Sequence, residues 1–310
     1  MKVLITGGAG FIGTNLAQHL IGLPQITEVR ILDDLSTGFR SNLDLVPEAD
    51  FVKGSILNMG LLSEAVMGMD SIVHLAARPS VTRSIAEPQA AHEVNATGTL
   101  NVLEVARQAG GLHTIVASSS SVYGANPTLP KREDLATQPV SPYAASKLAT
   151  ESYALSWQHS YGLPTLAFRF FNVYGPLQAA GHAYAAAIPT FIDAALSDRP
   201  IPLHGDGTQS RDFTFVGTVT SVIGQSVLER ITSPQPVNLA FGSNITLNEV
   251  IAGISTELGR VVEVESLPSR PGDVKHSQAD NSALMALLPG LSAVSFDEGL
   301  RATIGWFRTR

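Results

Sequence analysis

At 310 residues, with 44% apolar and 15% charged side chains, the chain is long enough for a sizeable core and lacks the charge excess of a disordered segment. A formal charge of −7 argues against broad binding to nucleic acid or to an anionic membrane surface. The absence of cysteine excludes disulfides, thiolate catalysis and cysteine-ligated metals, so hydroxyls, carboxylates, lysine or a bound cofactor must carry any chemistry.

In chain order, Lys2 to Thr6 is a short β-branched run. Glycines follow at once, and then apolar residues at helical spacing, Phe11, Ile12, Leu16 and Leu20, in a segment ending near Gly22. The glycines interrupt this stretch too early for a signal peptide or a spanning helix, so a cytoplasmic protein with no membrane partner is expected. Patterning predicts strands over 28–33, 50–54, 71–76, 113–118 and 164–170, with helices over 59–68, 84–109 and 142–161. Strands separated by helices imply an α/β fold, a doubly wound parallel sheet covered on both faces, over residues 1–171. Beyond 171 the pattern loosens around Gly175, Pro176, Pro189, Pro200, Pro202, Gly205 and Gly207, which reads as a smaller C-terminal α/β domain over 172–310. Pro236 to Ala240 reads as a strand able to rejoin the large sheet.

The segment TGGAGFIG sets Gly7, Gly10 and Gly13 between the first strand and the first helix. Glycine lets the backbone turn sharply and approach a pyrophosphate, whose charge is stabilised by free amides at the helix N-terminus. That is the dinucleotide site of a Rossmann-type sheet; an ordinary glycine-rich turn is the plainer alternative. Asp33 closes the next strand, twenty residues after Gly13. Its carboxylate suits the adenosine ribose hydroxyls and repels a 2′-phosphate, which favours NAD over NADP.

SPYAASK carries Tyr143 and Lys147 four residues apart, on one face of a predicted helix. An ammonium beside a phenol favours the phenolate, and bringing tyrosine from its ordinary value to neutral pH takes about 4 kcal/mol, which the lysine and a positive nicotinamide ring would share. Taken alone, such a pair is more often a solvated helix face. The serines of ASSSSVYG, at the C-terminal edge of strand 113–118, offer hydroxyl donors on the side where open α/β sheets bind ligands, although loop serines are commonly turn formers.

Together these residues resemble the extended short-chain dehydrogenase/reductases, and within them the NAD-dependent epimerase/dehydratase family, most nearly its UDP-hexose 4-epimerases. The resemblance runs nearly end to end, through TGGAGFIG, LDDLSTG, VHLAA, NATGTLNVLE, SSSSVYG, SPYAASK, RFFNVYGP, GDGTQSRDF and RPGD. It implies Tyr143 as base, Lys147 as partner of both tyrosine and nicotinamide ribose, and Ser119 as donor to the reacting oxygen. It implies cofactor contacts from Gly7, Gly10, Phe11, Ile12, Gly13, Asp33, Leu75, Ala76 and Ala77. Ser55 stands where many relatives have an acidic residue for the adenine amino group, and Ile56 beside it is a further implied cofactor contact. Asn172, Arg211 and Arg270, with Asp273 of RPGD, would approach the nucleotide diphosphate, since guanidinium pairs with phosphate oxygens in two directions. Structural ion pairs with Asp212 and Asp273 are the alternative for the two arginines.

The family's dTDP-sugar dehydratases carry aspartate and glutamate where this chain has Ser120 and Ser121, and UDP-glucuronate decarboxylases and GDP-mannose dehydratases carry glutamate at the position of Ser121. Without those carboxylates, elimination and decarboxylation are disfavoured, leaving reversible oxidation at carbon 4 through a transient 4-keto sugar. Ser277 occupies a position that is tyrosine in family enzymes restricted to glucose and galactose, and would leave room at carbon 2. Ser80, Arg83 and Ser84 match a segment of UDP-N-acetylglucosamine 4-epimerases, whereas Arg78, Arg83 or His182 would be the partners of a uronate carboxylate. The substrate therefore stays open among glucose/galactose, N-acetylhexosamine and glucuronate forms. The rivals are a sugar-nucleotide dehydratase or reductase on the same fold and a non-catalytic NAD-binding regulator. The family's pairing of its two long helices across subunits implies a homodimer.

Overall fold

The computed structural model describes residues 1–180, 185–268 and 275–309. It opens with β1 (Lys2–Thr6), α1 (Phe11–Ile21), β2 (Glu28–Asp33), β3 (Asp50–Lys53), α2 (Met59–Ala65) and β4 (Ser71–His74). Next come α3 (Val81–Ala86), α4 (Pro88–His92), α5 (Gly98–Gln108), β5 (His113–Ser119), α6 (Pro142–Tyr161) and β6 (Thr165–Phe170). The rest holds β7 (Asn172–Tyr174), α7 (Ala187–Leu196), β8 (Ile201–His204), β9 (Ser210–Arg211), β10 (Phe213–Phe215), α8 (Val216–Leu228) and β11 (Val237–Leu239). It closes with β12 (Ile245–Thr246), α9 (Leu247–Leu258), β13 (Val264–Leu267), α10 (Ser282–Leu287) and α11 (Phe296–Phe307). Among the described residues no helix is long and apolar enough to cross a membrane.

Seven strands form one parallel sheet in the order β11-β6-β5-β4-β1-β2-β3. Side chains alternate across its plane, so Val3 and Ile5 enter one core with Leu16 and Leu20 of α1 and Val222 and Ile223 of α8, while Leu4 enters the other with Leu62 of α2, Val102 of α5 and Ala154 of α6. All of these side chains are fully buried, and each contributes on the order of 1.5–3 kcal/mol for the larger aliphatics. The strand order reverses between β1 and β4, which opens a crevice at their C-terminal ends, where ligands of open α/β sheets bind.

One strand and two helices return from the C-terminal half to the large sheet. β11 pairs with β6, Asn238 opposite Arg169, while α8 and Leu284 of α10 join the core beneath β1. A separate core gathers Tyr174, Ile192 of α7, Leu203 of β8, Ile254 of α9 and Leu300 of α11.

The helix expected over 84–109 is three pieces. Pro88 has no amide hydrogen to continue α3 and starts α4 instead, after Glu87 at φ −131° and ψ 65°. A π turn over Glu93–Thr97 then leads into α5. By contrast α6 runs unbroken over its expected span, capped by Ser141, whose Oγ accepts from Ala144 N at 3.1 Å, and stopped by Gly162 at φ +66°.

Candidate active site

At the end of β1 the chain turns through Gly7, at φ +75°. A Cβ there would meet Ala76 N at 2.6 Å, so the loop tolerates only glycine. α1 begins at Phe11 with Gly10 as a cap that offers no side-chain hydrogen bond, leaving its first amides open for an anion. Asp33, at the end of β2, accepts from Ala9 N at 3.0 Å and from Leu35 N at 2.8 Å. Burial pushes its carboxyl up, and these two amides offset that only in part. Ser55 accepts from Leu57 N at 3.3 Å and keeps its own hydroxyl hydrogen to donate. A tight glycine turn, an uncapped helix start and a carboxylate one strand away fit the pyrophosphate and ribose of a dinucleotide.

These elements line a cavity of about 820 Å³, within the range of small-molecule sites. Gly7, Gly10, Phe11, Ile12, Gly13, Asp33, Ser55, Ile56, Leu75, Ala76 and Ala77 lie along one part of its wall, and Ser119, Ser120, Tyr143, Lys147, Asn172 and Arg211 along another. Among the described lining residues the carboxylates are Asp33 and Asp34, both at the β2 end.

Tyr143 sits in the first turn of α6, its amide held by Ser84 Oγ at 3.0 Å. Burial raises the phenol, and a hydrogen bond with Ser119 lowers it. Ser119 Oγ accepts from Ser121 N at 3.2 Å and from Ser121 Oγ at 2.9 Å, leaving its single hydrogen for the phenol. Lys147, one turn along α6, donates from Nζ to Ala117 O at 2.8 Å, and burial lowers its ammonium to about 8. The expected phenolate needs the lysine and the nicotinamide charge together, and without the latter the balance at Tyr143 lies on the side of the phenol. Desolvation outweighs the other influences on Tyr143, and the lysine is engaged by a strand carbonyl.

Asn172 donates from Nδ2 to Asp212 O at 3.3 Å, and Arg211 donates from Nη1 to Ser210 O at 2.9 Å at the cavity wall. Ser80, at φ +90°, also lines the cavity, and its Oγ caps α3 by accepting from Arg83 N at 3.2 Å. Arg78, Arg83 and Ser277 are not among the lining residues: Arg78 reaches outward to Glu87 at 2.6 Å, and Ser277 N pairs with Ser210 O at 3.1 Å. Arg270 and Asp273, with His182, lie outside the described residues. The cavity adds Gln178, His204 and Gln209, which the sequence reading did not single out, although Gln209 lies inside the GDGTQSRDF segment.

Fold and site define a dinucleotide-binding α/β protein with a Ser–Tyr–Lys constellation. The profile described as "NAD dependent epimerase/dehydratase family" matches residues 3–240. A UDP-glucose 4-epimerase of Mycolicibacterium smegmatis is 36% identical over 100% of this chain and 99% of its own. The structure superposes at a TM-score of 0.93 on a UDP-N-acetylglucosamine 4-epimerase from Methanobrevibacter ruminantium in complex with UDP-N-acetylmuramic acid, at 36% identity over 99% of this chain and 98% of the other. It also superposes at 0.89 on a UDP-glucuronic acid 4-epimerase from Bacillus cereus in complex with UDP-glucuronic acid and NAD, at 30% identity over 100% and 99%. The chain belongs to the NAD-dependent epimerase/dehydratase family, and its cofactor is NAD.

Proposed function

We propose that this enzyme inverts carbon 4 of a UDP-hexose by reversible oxidation, with the sugar uncharged: glucose/galactose or the corresponding N-acetylhexosamines. The observation that carries this reading is the lining of the cavity around Tyr143. Hydroxyls of Ser119, Ser120 and Ser121 stand there, and the two described carboxylates of the wall belong to the β2 end. Elimination across carbons 5 and 6 needs an acid and a base beside the sugar, and the described residues supply neither. Arg211 is the one guanidinium among the described lining residues, which suits the diphosphate and argues against a sugar with a carboxylate of its own.

NAD, when bound, supplies a reversible hydride acceptor and a positive charge at the site. With sugar bound, Ser119 turns its hydroxyl hydrogen from the phenol to the reacting oxygen. Tyr143, relieved of its proton with the help of the Lys147 ammonium, takes the proton of the carbon 4 hydroxyl and later returns it. The keto sugar turns over in the cavity between the two half-reactions, so no net oxidation results. We further propose a cytoplasmic homodimer through the α5–α6 layer. Val81, Ile85 and Tyr161, exposed on α3 and α6, support that surface, and light scattering reads the mass.

The test is incubation of purified protein, without added NAD, with UDP-glucose, UDP-N-acetylglucosamine and UDP-glucuronate, followed by proton NMR of the anomeric signals. Formation of the 4-epimer from either uncharged sugar supports the reading. Turnover of the glucuronate alone overturns the uncharged-sugar assignment, and a product of altered mass overturns epimerisation.

A further inference from the structure

His74 ends β4, fully enclosed between the cofactor loop and the helix that carries the tyrosine, and the reaction proposed above does not use it. Its ring makes two hydrogen bonds, Nδ1 with Thr6 Oγ1 at 2.7 Å and Nε2 with Thr99 Oγ1 at 3.0 Å. The surrounding bonds fix their direction. Thr99 has one hydroxyl hydrogen and spends it on Asn95 O at 2.6 Å, so towards the ring it accepts. Nε2 therefore bears hydrogen. Burial, and then the Lys147 ammonium, hold the ring's pKa down at about 3, so it carries one proton. Nδ1 then accepts from Thr6, whose oxygen is left to accept from Ala76 N at 3.4 Å.

The polarity these bonds favour is one chain: Ala76 N–H to Thr6, Thr6 to His74, His74 to Thr99, Thr99 to Asn95 O, with Thr150 Oγ1 a further neighbour of Thr99 Oγ1 at 3.3 Å. Its two ends matter for the site. Ala76 is the backbone against which Gly7 packs on the cofactor wall. Asn95 donates from Nδ2 to Ser146 Oγ at 2.9 Å, and Ser146 donates to Tyr143 O at 2.8 Å. Thr150 adds a second tie from α6 to Asn95 O at 3.0 Å.

We propose that His74, as the Nε2–H tautomer, is a positioning residue that couples the NAD-binding wall at Ala76 to the setting of Tyr143 on α6. Imidazole suits this place because no other side chain both accepts and donates through opposite ends of a rigid ring. The inference rests on the proposed reaction for its catalytic consequence, whereas its cofactor consequence is independent of any sugar.

Nitrogen-15 NMR of the wild-type holoenzyme near neutral pH, with the His74 signals identified by their loss in His74→Gln, reads the ring directly. One protonated nitrogen, assigned to Nε2, is expected; protonation at Nδ1 or at both nitrogens overturns the proposal, whether or not any variant folds. His74→Phe, which keeps the volume and loses both bonds, is expected to weaken NAD binding by about tenfold and to lower kcat by at least as much, with sugar KM little changed. His74→Gln restores most of both, because its amide donates in the Nε2 direction. A folded His74→Phe protein with wild-type NAD affinity sinks the idea. If NAD binding falls as expected but no UDP-sugar is epimerised, the coupling stands and the proposed reaction fails.

Discussion

Arg169 on β6 and Glu151 on α6 meet in a two-pronged ion pair, Nη2 to Oε1 at 2.7 Å and Nε to Oε2 at 3.0 Å, with side chains only 4% and 3% exposed. Ser118 adds a hydroxyl to Oε2 at 2.7 Å, and the guanidinium lies 4.7 Å from the centre of the Tyr123 ring. Glu151 stands one turn beyond Lys147, so this cluster pins the catalytic helix to β5 and β6. Glu151→Ala leaves a buried cation without its partner and is expected to destabilise the fold by about 3–5 kcal/mol. Urea denaturation checks this, and the double replacement Glu151→Leu with Arg169→Met should be less damaging than the single one.

Tyr143→Phe removes the proton acceptor and little else. Epimerisation is expected to fall by about 10²–10⁴-fold while NAD stays bound, measured by single-turnover NMR and by cofactor released on denaturation. Ser119→Ala, which loses one hydrogen bond to the reacting oxygen, should cost about tenfold.

Lys147 gives a pH-dependent stability with a definite sign. Unfolded, it keeps its proton up to its ordinary 10.5; folded, it releases it near 8. Between those values the unfolded chain binds more protons, so stability rises with pH across the window, and below about 8 the cost of the buried charge is present in full. Lys147→Met is therefore expected to be inactive yet more stable than the wild-type apoprotein at neutral pH, by up to about 3 kcal/mol. The gap should close as pH climbs towards 10.5, as read by denaturant midpoints.

Cofactor choice should respond to Asp33. Asp33→Asn keeps the size and removes the charge that repels a 2′-phosphate, so the ratio of NADP to NAD affinity is expected to rise about tenfold in equilibrium titrations. Gly7→Ala, forced against Ala76 N at 2.6 Å, should abolish binding of either cofactor.

Much of this architecture was legible because it is written in local pattern. The β-branched run before TGGAGFIG, the apolar period after it, and the four-residue step from Tyr143 to Lys147 are short-range signals, and they predicted β1, α1 and α6 closely. The helix over 84–109 misled because its apolar spacing continues through Pro88, where the missing amide hydrogen was the stronger signal. Arg78 was named as a partner for a uronate carboxylate, and the ion pair its guanidinium makes with Glu87, nine residues along, had no signal in the pattern. The Glu151–Arg169 pair and the His74 chain were invisible in sequence, since a buried polar group shows no period and its partners come from other strands. The four-residue spacing put Tyr143 and Lys147 on one face of α6, but the burial that raises the phenol and the strand carbonyl that takes the lysine's hydrogen bond leave no local signal.

The position of β11 bears on how the protein can be cut. It covers the outer edge of β6, whose residues Leu166, Ala167 and Phe168 are wholly buried. A fragment ending near residue 171 would contain every cofactor contact named above, yet it would expose a flat apolar strand with unpaired amides, a ready template for self-association. Split-protein complementation or fusion designs should therefore leave 1–240 continuous and place their breaks at surface turns such as Gly259, whose added side chain would meet nothing within 4 Å.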